Sequence, residues 1–139
     1  MITRTFALPA IVLLAASNAN AADLNITVTD IRSTQGSVGV SVVDTAAAWN
    51  GEAKGVARQK LPIQGKEVVF RLTDLPPGQY AVSVIHDEND NGKLDANFMG
   101  MPTEGYGFSN NPVVLRKPTF EEVQFQLGAE GGAMTIRLR

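Results

Sequence analysis

Residues 75–86 read LPPGQYAVSVIH, a tight turn that runs directly into a strand. Pro76 and Pro77 preset φ and Gly78 permits positive φ, so the chain reverses here. From Gln79 to His86 the pattern alternates. Tyr80, Val82, Val84 and His86 fall on one face, and Ala81, Ser83 and Ile85 on the other. Period two over this length specifies a strand with two unlike faces. The same period recurs upstream. Glu67–Leu72 (EVVFRL) collects Val68, Phe70 and Leu72; Ser37–Asp44 (SVGVSVVD) collects Val38, Val40 and Val42; Leu24–Ile31 (LNITVTDI) collects Leu24, Ile26 and Val28. The last two runs, joined at Gly36, are expected to pair as an opening hairpin.

Leu61–Ile63 reads as a short strand or as loop, and Pro112–Leu115 (PVVL) as a short strand. Thr119–Leu127 alternates Val123, Phe125 and Leu127, and after the turn at Gly128–Gly132 the segment Ala133–Arg139 faces Met134, Ile136 and Leu138 inward. Thr45–Gln59 fits no strand. Ala46–Trp49 suits one helical turn, but Gly51 and Gly55 stop it, since glycine costs about 1 kcal/mol in a helix interior. An irregular connection with a short helix is expected there, with Trp49 plugging the core over a sheet edge. About seven strands and no long helix make this an all-β chain, a single immunoglobulin-like two-sheet sandwich with one long ordered loop. No internal repeat or linker divides it.

The first residues stand apart. Arg4, the apolar run Phe6–Ala16 and the small-x-small box Ala19-Asn20-Ala21 form the three parts of a secretory signal peptide. The run is short of the roughly 20 residues that a bilayer span needs. Residues 1–21 are therefore expected to be cleaved and residues 22–139 to form the domain, periplasmic or secreted, with no membrane span after cleavage. The chain has no cysteine, so neither a disulfide framework nor a lipid-bearing cysteine at the cleavage point is expected.

Charge gathers downstream of the best strand, in HDENDNGKLDANFMGMPTEGYGFSNN (86–111). This segment holds Asp87, Glu88, Asp90, Asp95 and Glu104 against Lys93 alone. The rest of the mature chain is close to neutral. Negative charge confined to one loop favours a cationic partner there and argues against nucleic acid. With Asp87 at position one, Asn89 stands at three, Asn91 at five, Gly92 at six, Lys93 at seven and Asp95 at nine, which satisfies D-x-[DN]-x-[DN]-G. A hard cation such as Ca²⁺ takes six to eight oxygens, and residues at every second position supply them when a glycine lets the chain wrap. The expected metal ligands are the side chains of Asp87, Asn89, Asn91 and Asp95 and the carbonyl of Lys93, with Glu104 as a further candidate. Phe98 occupies the twelfth position, where a bidentate Glu belongs, and the flanks are not two helices. The loop is therefore not an EF-hand, and affinity on the order of 10⁻⁴ M is expected. The plainer alternative is a solvated Asn-Gly hairpin whose acids keep an edge soluble.

From Asp87 to Asn111 no strand pattern appears, although loops beyond roughly 12–15 residues are uncommon in compact domains. Phe98, Met99, Met101, Tyr106 and Phe108 are expected to anchor it, and Tyr106, Phe108 and Asn110 to form a candidate ligand surface. Glu104 is placed to tie the two halves of the segment together. His86 is expected to be a strand-end residue bonded to the backbone. No catalytic residue stands out, since Ser109 lacks a G-x-S-x-G setting.

The runs LPPGQYAVSVIHDENDNGKLD and GMPTEGYGFSNN together resemble the bacterial exported family catalogued as domain of unknown function 2141. The resemblance implies a small exported β-sandwich and no activity. The L-P-P-G-x-Y turn is also similar to one in transthyretin-like and carboxypeptidase-regulatory-like sandwiches, which implies an accessory or binding module. The first expectation is thus a non-catalytic exported binding module with a calcium-ordered loop, its partners a metal ion and a small ligand or envelope protein. The alternatives are a hydrolase acting through Asp95 and Glu104, and a structural module that docks on an envelope protein.

Overall fold

Alternation at period two builds eight strands among the described residues, which in this computed structural model are 21–97 and 99–139. Residues 1–20 of the expected signal segment, and Phe98, lie outside them. The strands are β1 (Ala22–Thr29), β2 (Ser37–Val43), β3 (Ala57–Pro62), β4 (Val68–Leu75), β5 (Gly78–Asp87), β6 (Tyr106–Phe108), β7 (Phe125–Leu127) and β8 (Gly132–Arg137). Two helices of one turn, α1 (Ala46–Trp49) and α2 (Phe120–Val123), complete the set. No helix among the described residues is long and apolar enough to cross a membrane.

The strands form two sheets that pack as a β-sandwich. The smaller has the order β4-β1-β8, with β1 antiparallel to β4 and parallel to β8. The larger has the order β3-β2-β5-β6, and β7 pairs with the start of β5. The expected hairpin of β1 with β2 does not form. The valine and isoleucine stripes of these strands face each other from opposite sheets, and the connection between them crosses the sandwich, turning at Asp30 (φ 60) and Gly36 (φ 73). Two apolar stripes bury more surface face to face than side by side in one sheet.

The inner faces form the main core. Leu24, Ile26 and Val28 of β1 and Val68, Phe70 and Leu72 of β4 meet Val38, Val40 and Val42 of β2 and Tyr80, Val82 and Val84 of β5. Each such side chain contributes roughly 1.5–3 kcal/mol of burial. A second, smaller cluster sits on the outer face of the larger sheet. Val43 and Ala81 are covered there by Ala48 and Trp49 of α1 and Val123 of α2, with Phe108 and Phe120 packed alongside. Trp49 plugs this second cluster, its indole N–H donating to the Pro118 carbonyl at 2.8 Å.

Four further expectations are corrected. The connection expected to stay irregular over Thr45–Gln59 ends at Ala57, where β3 begins and pairs along β2. The first half of Thr119–Leu127 is helical, because Thr119 and Glu122 form a reciprocal capping box. That local pairing overrides the alternation, and only Phe125–Leu127 remains a strand. Pro112–Leu115 is not a strand. Pro112 lacks a ladder donor, and Val113 and Leu115 are 89% and 102% exposed. Within the long loop, Tyr106–Phe108 does form a strand, pairing with Ser83–Ile85. Gly107 lets this strand pack closely on β8, since a Cβ there would stand 2.7 Å from Ile136.

Candidate functional site

β5 delivers His86 and Asp87 to the end of the larger sheet, where the chain leaves as the acid-rich loop. His86 is fully buried. Its Nε2 lies 2.7 Å from the Gln35 carbonyl, and a carbonyl only accepts, so Nε2 carries the proton. Nδ1 has no partner and lies 3.8 Å from the Glu88 carboxylate.

Asp87, 5% exposed, turns its carboxylate back into the loop. Oδ1 accepts the Asn91 N–H at 3.1 Å and Oδ2 the Gly92 N–H at 2.6 Å. The chain wraps around this carboxylate, with Asp90 (φ 53) and Gly92 (φ 78) both in the left-handed region. Asn89 and Asn91 then point their amide N–H₂ groups at Asp95, at 2.6 Å to Oδ2 and 2.7 Å to Oδ1. Their carbonyl oxygens face the backbone: Asn89 Oδ1 accepts from Asn91 N at 3.3 Å, and Asn91 Oδ1 accepts from Lys93 N at 2.9 Å. The amide donors of Asn91 and then Asn89 hold the Asp95 carboxyl below the usual carboxylate range.

Glu104, 5% exposed, closes the loop from the other side. Its Oε2 accepts the Glu88 N–H at 2.6 Å and its Oε1 the Asp95 N–H at 2.9 Å. Both oxygens are thus committed to backbone at the two ends of the loop. Between Asp95 and Glu104 the chain makes a small hairpin, bridged at Ala96 and Pro102 and turned by Asn97, whose Oδ1 accepts from Met99 N and Met101 N. Met99 and Met101, expected to anchor the loop, do not, since both are exposed at this hairpin.

The structure therefore brings Asp87, Asn89, Asn91 and Asp95 into one network, with Lys93 present through its backbone N–H and Glu104 as the clamp. Among the described residues no group of three or more His, Asp or Glu side chains is gathered to hold a metal. Tyr106, Phe108 and Asn110 lie apart from this network. Phe108 packs edge-on against Trp49, with centroids 5.7 Å apart, and lies 5.8 Å from the Tyr106 ring. Asn110 (φ 66) donates to the carbonyls of Gln124 and Glu122 at 2.9 and 3.3 Å. Asn111 clasps β8, accepting from Arg137 N and donating to the Thr135 carbonyl.

Sequence reasoning missed the residues that dock the loop. Arg32 binds Glu88 through two nitrogens, at 2.6 and 3.0 Å, and also donates to the Thr103 carbonyl. Its guanidinium holds the Glu88 carboxyl below the usual range. Ser37 donates to Asp90 at 2.8 Å, and Lys60 lies 3.6 Å from the same carboxylate. Gly36 packs directly on the loop, since a Cβ there would fall 1.9 Å from the Asp87 carbonyl oxygen. The only local signal for any of these was the lone glycine of the β1–β2 connection.

A family model described as "uncharacterized protein conserved in bacteria (DUF2141)" matches residues 26–136. No curated protein and no solved structure matches the chain.

Proposed function

The chain belongs to the family of uncharacterized proteins conserved in bacteria, and from that premise we propose that it is an exported, non-catalytic binding or accessory module, periplasmic or secreted, whose loop 87–95 is a weak calcium-type cation site. The observation that carries this reading is the convergence of Asn89 and Asn91 on the two oxygens of Asp95. An amide head carries its oxygen and nitrogen on one plane, so a half-turn about its last bond exchanges them. With that half-turn the loop presents two amide oxygens beside the Asp95 carboxylate, and Asp87 and the Lys93 carbonyl complete a set of hard oxygen donors. The cation then takes the place of two N–H₂ groups, the Asn91 and Lys93 N–H groups give up the amide oxygens, and the Asp87 and Glu104 contacts to backbone keep the loop wrapped. Two carboxylates among neutral donors suit affinity on the order of 10⁻⁴ M.

Glu104 enters this reading as the support of the loop. With both of its oxygens on backbone N–H groups it is poorly placed for acid–base work, which leaves the hydrolase reading without a supporting observation. The docking reading has one, in the exposed Val113 and Leu115 beside Arg116 and Lys117.

The test is a thermal melt in calcium, magnesium or chelator. At a calcium concentration 100 times the dissociation constant, linkage stabilises the protein by about 2.7 kcal/mol. For a domain of this size that raises Tm by about 10 °C. Asp95→Asn should abolish the shift, and an unmoved Tm at 10 mM calcium, a concentration of about 100 times the expected dissociation constant, would refute the cation site.

A further inference from the structure

Asn-Gly occurs twice in the chain, at Asn50-Gly51 and at Asn91-Gly92. The dipeptide carries a reaction of its own. The glycine backbone nitrogen attacks the side-chain carbonyl carbon of the asparagine, and the new bond from that nitrogen to Cγ closes a five-membered imide. The Cγ–Nδ2 bond breaks, and the side-chain nitrogen leaves as ammonia with the backbone proton. Water then opens the imide at either carbonyl, which yields aspartate or isoaspartate. Glycine favours the closure because it has no side chain in the way and its backbone turns freely.

Access does not separate the two sites. Both asparagines and both glycines are exposed. Gly51 (φ 77) and Gly92 (φ 78) lie in the same backbone region, and a Cβ at either would meet nothing within 4 Å. The difference lies in what holds the reacting groups. At Asn91 each of them is taken. Nδ2 donates to Asp95 at 2.7 Å, and Oδ1 accepts the Lys93 N–H at 2.9 Å. The attacking nitrogen, Gly92 N, donates to the buried Asp87 carboxylate at 2.6 Å. Ring closure there requires Gly92 to leave a charged acceptor and the Asn91 head to leave both of its partners.

Asn50 stands otherwise. It caps the C-terminus of α1 with φ −84 and ψ 4. The side-chain hydrogen bonds at this corner belong to Thr45, Trp49 and Lys117, and none among the described residues reaches the Asn50 amide. Closure has to swing the Asn50–Gly51 peptide, and two bonds resist it. Gly51 N donates to the Ala48 carbonyl at 3.1 Å and Glu52 N to the Ala47 carbonyl at 2.8 Å. Both are neutral bonds at the end of a one-turn helix, where opening costs least.

We propose that Asn50-Gly51 is a site of spontaneous deamidation in the folded protein, and that the acid-rich loop shields Asn91-Gly92 from the same reaction. A hydrogen bond to a charged group holds a site closed by roughly ten- to a hundredfold, several times more than a neutral bond does. The product at Asn50 has a place to act. Asn50 lines a hollow with Trp49 and Lys117, floored by Ser41 and Ser83, and Lys117 is the one charged side chain among its described lining residues. The Lys117 ammonium stands 4.9 Å from the centre of the Trp49 ring. Conversion sets a carboxylate in that hollow and offsets the lysine charge, and isoaspartate also lengthens the backbone by one carbon at the end of α1.

The experiment is incubation of the wild-type protein in chelator at mildly alkaline pH, folded and in urea, followed by peptide mapping with mass spectrometry. Conversion of an amide to an acid is read at each Asn-Gly separately. In urea the two sites should convert at similar rates. In the folded protein Asn50 should convert while Asn91 lags behind it by roughly tenfold or more. Asp87→Asn, which removes the charged acceptor of the Gly92 N–H, should bring Asn91 toward the rate of Asn50, and Asn50→Gln should remove the early product. Equal rates at the two sites of the folded wild type would overturn the shielding. So would an Asn91 rate unmoved by Asp87→Asn. An Asn50 that stays intact over the time in which the unfolded chain converts would overturn the site itself. The wild-type comparison needs no variant, so the test stands even where Asp87→Asn fails to fold. Chelator is present throughout, so this proposal and the calcium reading stand or fall separately.

Discussion

Glu104→Gln is the sharpest perturbation of the loop, because it alters one atom at the point where both ends are held. The carboxylate accepts Glu88 N–H and Asp95 N–H, one on each oxygen. An amide in the same place accepts one of them and turns an N–H₂ toward the other. Hydrogen bonds to a charged group contribute about 1.5–3 kcal/mol and neutral ones about 0.5–1.5. The variant loses one charged bond, has the other reduced to a neutral one, and leaves a donor facing a donor near a buried position. The sum is about 2–4 kcal/mol, expressed first as easier opening of residues 87–104 and only then as global instability.

Amide hydrogen exchange reads this directly. Free energies of that size speed exchange of the Glu88 and Asp95 amides by roughly 30- to 700-fold, while the core amides of Val82 and Val84 change far less. Glu104→Ala should give at least the same loss at both amides, since it removes both acceptors. If Glu88 and Asp95 keep their wild-type protection in Glu104→Gln, the clamp does not operate in solution and the loop is held by Arg32 and Asp87 alone.

Two other consequences follow from the docking contacts and the charges. Gly36→Ala puts a methyl group 1.9 Å from the Asp87 carbonyl oxygen at φ 73. Strain and overlap should cost about 2–4 kcal/mol in a urea titration and shift the Asp87 and Glu88 amide resonances; a variant as stable as wild type would show that the loop does not rest on the β1–β2 connection. Acid should loosen the protein in a defined window. Arg116 holds Glu122 down to about 2 from an ordinary 4.5, Asn91 and Asn89 lower Asp95, and Arg32 lowers Glu88. A carboxyl lowered on folding adds stability that is present above its unfolded pKa and is lost as pH falls through the folded one. For Glu122 the loss runs from 4.5 down to about 2. Carboxyl titration by NMR checks this, and a Glu122 midpoint near 4.5 in the wild type, unmoved by Arg116→Gln, would contradict it.

The inner-face stripes were legible in the sequence because burial writes them at a fixed period, and Tyr80, Val82, Val84 and His86 do line one face of β5. Partner choice was not legible. β1 and β2 carry the same kind of stripe, and nothing within either run says that one joins β4 and β8 and the other β3 and β5. Local chemistry misled where two local signals competed, as at Thr119–Glu122, where a capping box overrode the alternation as far as Val123 and left only Phe125–Leu127 as strand. In the loop, the D-x-N-x-N-G spacing disclosed which side chains converge. It could not disclose Arg32, which lies 56 residues from Glu88 and becomes its partner only through the fold.

All five acids of the loop have partners, and the division among them has a consequence for binding. Asp87, Asp95 and Glu104 each take two N–H donors from within the loop, while Glu88 and Asp90 meet the cations Arg32 and Lys60 from outside it. Repulsion among the acids is thus relieved before any cation arrives, and the backbone entropy of ordering, on the order of 1–2 kcal/mol per residue, is met by folding itself. On the proposed reading, a cation entering at Asp95 turns both side-chain amides, which gives up their N–H₂ contacts to Asp95 and the contacts of their oxygens to Asn91 N–H and Lys93 N–H, while the Asp87 and Glu104 contacts to backbone remain. Binding would then draw on a loop already shaped, which spares it the ordering cost, but it would also have to replace four hydrogen bonds of the two amides, which limits its strength.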